Sequence, residues 1–139
     1  MPRLRVVAVS NRLPAWAEAA CAEYARRMPR GYELERVRVK PGPREAERLR
    51  AALPKGARVI ALDERGRDCT TTGFAPLLHQ ESVFVIGGAE GLDPAIRKAA
   101  ALLIRLSSLT LPHALAQVVL VEQIYRAATL LTGHPYHRG

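Results

Sequence analysis

Cysteine is scarce in this 139-residue chain: Cys21 and Cys69 are the only two. Neither has a Cys or His neighbour at metal-ligand spacing, so no metal site is expected, and two lone thiols suit a reducing compartment. An apolar N-terminal stretch long enough for a signal peptide is also missing, because the start reads Met-Pro-Arg-Leu-Arg-Val-Val-Ala-Val. The longest apolar region, 114–131, contains Gln117, Glu122, Gln123 and Arg126, too many polar groups for a membrane span. The expectation is a cytoplasmic protein with no membrane partner. Repeats, low-complexity tracts and linkers are absent too, so residues 1–139 are expected to form one domain. Lysine is rare, with 3 Lys against 18 Arg. Finally, the glycine-rich segment at 87–91 lacks the Gly-Lys-Ser/Thr that would continue a Walker A loop, and it lacks dinucleotide-fingerprint spacing.

What is present belongs to a folded globular protein: 48% hydrophobic and 24% charged residues. A net charge of +8 on so short a chain favours a polyanionic partner, nucleic acid first. Arginine suits phosphate, which its planar fork can grip, although a GC-rich or heat-adapted genome also enriches it.

Hydrophobic periodicity alternates strands with helices. Strands are expected at Leu4–Val9, Tyr32–Val39, Ala57–Leu62, a run from Ser82, and Ala101–Leu106. Helices are expected at 15–28, Arg44–Leu53, 73–80, from Pro94, and at 113–132 up to Gly133, with Glu64–Thr72 a polar loop. Asp93 is expected to cap the helix at Pro94 by accepting its free amides. The pattern predicts an α/β fold, a mostly parallel sheet with helices on both faces.

Two loops stand out. Ser82–Ile86 is a buried strand that opens into Gly87-Gly88-Ala89-Glu90-Gly91, whose glycines would let the backbone close on a ligand without side chains intervening. Glu90 there reads equally as a partner for a cation or hydroxyl pair and as a solvated residue. One helix later, Ser107-Ser108-Leu109-Thr110-Leu111-Pro112-His113 offers backbone groups for the edge of an adenine-like ring, or simply turn and helix caps. His113 begins a helix, where the dipole disfavours its cation. Glu122 and Arg126 are i,i+4 partners. The last helix is apolar on more than one face, which favours a dimer contact. The tail His134-Pro135-Tyr136-His137-Arg138 places stacking groups beside a phosphate fork.

Val85–Leu92, Leu106–His113, Glu122–Ala127 and His134–Arg138 stand in an order and spacing similar to one family. The chain resembles the RlmH-type large-subunit ribosomal RNA pseudouridine N3-methyltransferases of the SPOUT superfamily. Val7-Ala8-Val9, Trp16 and Glu23-Tyr24 add to the likeness. Departures are Ala89 where proline is common, and a shorter region 40–57. The resemblance implies a C-terminal deep trefoil knot, a homodimer, and S-adenosylmethionine held by Leu62, Gly88, Ser107, Ser108, Leu109, Thr110, Leu111 and Pro112. It implies methylation of pseudouridine 1915 in helix 69 of 23S rRNA within the 70S ribosome. His113, Arg126, Tyr136, His137 and Arg138 are the expected catalytic group. His113, His137 and Glu122 are alternative bases for the N3 proton; Arg126 and Arg138 face either a uridine anion or phosphate; Tyr136 would stack on the target base from the partner's tail. The alternatives are a non-catalytic RNA-binding assembly factor and a SPOUT enzyme of tRNA.

Overall fold

The computed structural model of the chain describes residues 3–138, and for His137 and Arg138 the backbone alone. Five strands form one parallel sheet in the order β2-β1-β4-β3-β5: β1 Leu4–Val9, β2 Leu34–Val39, β3 Arg58–Asp68, β4 Ser82–Ile86 and β5 Leu102–Arg105. The helices are α1 Ala15–Arg26, α2 Glu45–Ala52, α3 Thr71–Phe74, α4 Pro94–Ala99 and α5 His113–Thr132. A 3₁₀ segment, Ala75–His79, continues α3, and another, Pro135–Arg138, follows α5.

The side chains of each strand alternate between two cores, as the two-residue period of a strand requires. Leu4, Val6 and Ala8 of β1 join Phe84 and Ile86 of β4, Ile60 and Ile104 on one face, beneath Cys21 of α1 and Leu120, Val121, Ile124, Ala127 and Ala128 of α5. Val7, Val9, Val83 and Val85 point the other way, onto Leu49 of α2 and Ile96 of α4. A parallel sheet covered on both faces needs such continuous apolar strands. By length and composition α5 could cross a membrane. Here its apolar residues are the lid of the larger core.

Four expectations need correction. The third strand does not stop at Leu62. Ile104 of β5 pairs with Leu62 and again with Arg67, so residues 63–66 are extruded as a bulge within β3 rather than opening a long polar loop. Gly66 permits this: a Cβ there would lie 2.5 Å from the Ile104 carbonyl carbon. Asp93 gives α4 no side-chain cap. Its carboxylate reaches Arg50 at 3.5 Å, while its backbone carbonyl accepts from the Arg97 amide. The 73–80 helix starts earlier, at Thr71, because the Thr70 hydroxyl accepts from the Gly73 amide and caps it. α1 ends at Arg26, short of residue 28.

The chain leaves β1 toward β2 on one side and β4 toward β5 on the other. The carboxyl ends of the strands therefore meet loops diverging from a switch point, where open α/β sheets bind ligands.

Candidate functional site

The loops that leave β3, β4 and β5 enclose a cleft of about 920 Å³ at that edge, at the large end of the range for small-molecule sites. Leu62, Ile86 and Leu106 supply apolar wall; Gly88, Glu90, Ser107, Ser108, Leu109, Thr110, Leu111 and His113 also line it. The structure thus brings together every expected cofactor residue except Pro112. Pro112 stands behind the wall as the residue before α5, its carbonyl accepting from the Ala116 amide at 2.9 Å.

Each loop holds its shape with its own bonds. The Ser107 hydroxyl accepts from the Leu109 amide at 2.9 Å, a tight turn that leaves Leu109 75% exposed on the rim. In the glycine loop the Gly91 amide donates to the Gly88 carbonyl at 2.9 Å. A Cβ on Gly87 would meet the Gly91 backbone at 2.6 Å, and Gly91 itself has φ +89°. The glycines therefore serve closure of the loop on itself first. Room for a ligand comes from the cleft beyond them, which amends the simpler expectation. Below, Asp63 ties the β3 bulge to α4, accepting from the Arg65 amide at 2.7 Å and pairing with Arg97 at 3.2 Å. Glu90 is exposed at the edge and has no hydrogen bond or ion pair among the described residues.

His113 is half-buried, and burial lowers the pKa of its imidazole below the ordinary value. Its Nε2 lies 3.0 Å from Nε2 of buried Gln117, which lies 3.2 Å from the Ser10 hydroxyl. Ser10 spends its own proton on the Asn11 carbonyl at 2.7 Å. Its oxygen must then accept from the Gln117 amide, whose second N–H faces His113. His113 Nε2 is therefore an acceptor, and the ring proton belongs on Nδ1. An imidazolium would set N–H against N–H, so hydrogen bonding and burial favour the same neutral form.

Arg126 and Tyr136 lie elsewhere on the chain. Glu122 and Arg126 do form the expected pair, at 2.8 Å, and the same carboxylate accepts from the Tyr136 hydroxyl at 2.9 Å. The Tyr136 ring packs edge-on against Tyr125 at 4.6 Å, and Arg126 lies over it at 5.0 Å. Burial, with bonds to Tyr24 and Glu122, raises the pKa of the phenol. This cluster begins nine residues beyond His113 on α5, roughly 14 Å along the axis at 1.5 Å per residue. Within this single chain the structure does not bring Tyr136 to the cleft. The side chains of His137 and Arg138 lie outside the described part of the chain.

A family model described as "Predicted SPOUT methyltransferase" matches residues 2–137. The chain belongs to the SPOUT methyltransferase family. Its SPOUT relatives include ribosomal RNA large subunit methyltransferase H of Polynucleobacter asymbioticus, 51% identical over 98% of this chain and 99% of that protein. The protein of the same name from Ralstonia pickettii is 49% identical with the same coverage. Among solved structures, the SpoU methyltransferase AviRb of Streptomyces viridochromogenes in complex with AdoMet superposes with a TM-score of 0.51 at 18% identity, over 88% of this chain and 56% of that one. A protein solved for 2-OH methylation of C/U34 on tRNA gives 0.56 at 18% identity, over 93% and 92%. These likenesses confirm the SPOUT fold.

Sequence reasoning missed three residues of this SPOUT site. Ser10 and Gln117 are separated by 107 positions, and nothing local marks them as partners. Asp63 falls between the expected strand Ala57–Leu62 and the expected loop Glu64–Thr72, with no motif to mark it.

Proposed function

We propose that this chain is an S-adenosylmethionine-dependent methyltransferase. It acts in the cytoplasm, as a homodimer, on N3 of pseudouridine 1915 in helix 69 of 23S rRNA within the 70S ribosome. The observation that carries the reading is the three-loop cleft at the carboxyl edge, in a chain about half identical to ribosomal RNA large subunit methyltransferase H along nearly its full length.

The residues present fit the cofactor. Leu62, Ile86 and Leu106 offer apolar wall to an adenine ring, and the backbone of Gly88 and Ser107–Leu111 offers amides and carbonyls to its edge. SPOUT membership also implies that this part of the chain is threaded into a deep trefoil knot, one of the rare exceptions to unknotted folds. When bound, S-adenosylmethionine supplies a methyl group activated by its sulfonium.

The chain's own contribution is positioning and proton handling. His113, with its proton on Nδ1, acts as a hydrogen-bond donor to a uracil carbonyl and stabilises the anion left when N3 loses its proton. The proton acceptor is then Glu122 of α5 or His137 of the tail, while Arg126 and Arg138 favour the anion or hold phosphate. A homodimer unites these groups. Leu115 and Val119 extend the stripe that ends in Glu122 and Arg126, and both are only half-buried. Two such stripes packed antiparallel about a two-fold axis set the tail of one subunit against the start of α5 in the other.

Tritiated methyl transfer to vacant 70S ribosomes, free 50S subunits and tRNA tests the reading. Labelling of 70S above 50S, with tRNA unlabelled, is expected. Labelling of tRNA alone overturns the substrate, and cofactor-independent ribosome binding without turnover favours an assembly factor.

A further inference from the structure

The 18 arginines differ in how far their charge is spent. Arg26 and Arg27 share Glu23, and Arg5, Arg36, Arg50, Arg97, Arg105 and Arg126 each face a carboxylate within 4.0 Å. Arg48 and Arg58 give their guanidinium groups to backbone carbonyls. Charges already matched in this way add little to capture of an external anion.

Arg12 and Arg38 have no carboxylate within ion-pair distance among the described residues and, unlike half-buried Arg48 and Arg58, both are exposed; they also share a cavity. It measures about 560 Å³ and lies between the carboxyl ends of β1 and β2 and the start of α1, with Ser10, Leu13, Glu18, Arg36 and Gln117 also in its lining. Glu18 is engaged by Arg36 through two bonds of 2.9 Å, so these two charges cancel. Arg12 has no hydrogen bond or ion pair among the described residues. Arg38 makes one bond, to the Ser10 carbonyl at 3.3 Å. Two exposed guanidinium groups thus remain over a concave site. Gln117 stands in the wall between this cavity and the cofactor cleft, since it lines the first and holds His113, which lines the second.

We propose that this second cavity binds a phosphodiester of the RNA substrate, with Arg12 and Arg38 as its two forks. The site sits on the same edge of the sheet as the methyl-transfer cleft. A backbone phosphate held here anchors the RNA strand one wall away from the residue that faces the acceptor base. Arginine suits this task because its planar donors match phosphate oxygens in pairs. The inference rests on RNA being the substrate and names the part of the basic surface that grips it.

The test compares two double variants of the full-length protein that remove equal charge. One is Arg12→Gln with Arg38→Gln; the control is Arg3→Gln with Arg30→Gln, two exposed arginines outside that cavity whose side chains make no hydrogen bond or ion pair within 4.0 Å among the described residues. Equilibrium binding to vacant 70S ribosomes is measured across a salt series, and cofactor binding is measured by calorimetry. The cavity variant is expected to bind ribosomes at least tenfold more weakly. Its slope of log affinity against log salt should be shallower by about one, as expected for one lost phosphate contact. Its cofactor affinity should stay unchanged, and the control should remain within twofold of wild type. Equal weakening of both variants, or unchanged binding by the cavity variant, overturns the proposal. Failure of the wild-type protein to methylate would remove the enzymatic reading while leaving this comparison of binding intact.

Discussion

At the scale of single residues, His113 is the most constrained group in the site. Its lowered pKa comes from burial, so below the ordinary imidazole pKa near 6.5 the unfolded chain binds a proton that the folded one refuses. The corresponding stability is fully present above about pH 6.5 and declines as pH falls below it. Nitrogen-15 NMR should find the Nδ1–H tautomer and a pKa under 6.5; an Nε2–H ring would contradict the Ser10–Gln117–His113 chain. Gln117→Leu should let both tautomers appear and lower kcat more than cofactor affinity. Gly87→Ala forces a Cβ to within 2.6 Å of the Gly91 backbone, and should cost about 1–3 kcal/mol by overpacking in chemical denaturation. Little of this residue-level detail was legible beforehand. The types and order of the loop residues marked a pocket, but whether a glycine's missing side chain serves a ligand or its own loop depends on what stands opposite in space.

At the scale of elements, apolar periodicity located all five strands and the long helix, because burial on two faces of a parallel sheet leaves a strong pattern. α5 runs over the expected His113–Thr132. The pattern failed at Glu64–Asp68, where the polar sequence reads as loop and pairing with β5 nonetheless continues past the bulge. A strand held by its edge rather than by its faces carries no apolar signal. The tail illustrates the same limit: termini usually fray, yet Pro135–Arg138 turns back so that Tyr136 can reach Tyr24, Tyr125 and Glu122. Deleting 134–139 should leave the core folded and cofactor binding intact, because the cleft is built from the loops after β3, β4 and β5. Methyl transfer should fall at least a hundredfold in single-turnover assays. Full activity of the truncated protein would remove the tail from the reaction.

At the scale of the whole molecule, the proposed reaction needs two subunits, since cleft and tail lie apart on a single chain. Mixing tail-deleted protein with a cleft-defective variant should restore activity that neither has alone, because one composite site in the mixed dimer keeps both halves. Absence of complementation, with mixed dimers demonstrated by native mass spectrometry, would argue for sites complete within one subunit. Charge is the other molecular property read early: a net +8 pointed to a polyanion, and pairing in the fold then narrowed which arginines remain free to meet it. The most direct test of the central claim is site-resolved mass spectrometry of 23S rRNA, from vacant 70S ribosomes incubated with the protein and S-adenosylmethionine. The prediction is one added methyl group, on N3 of pseudouridine 1915. Methylation at any other nucleotide, or no methylation by protein that binds both cofactor and ribosome, would contradict it.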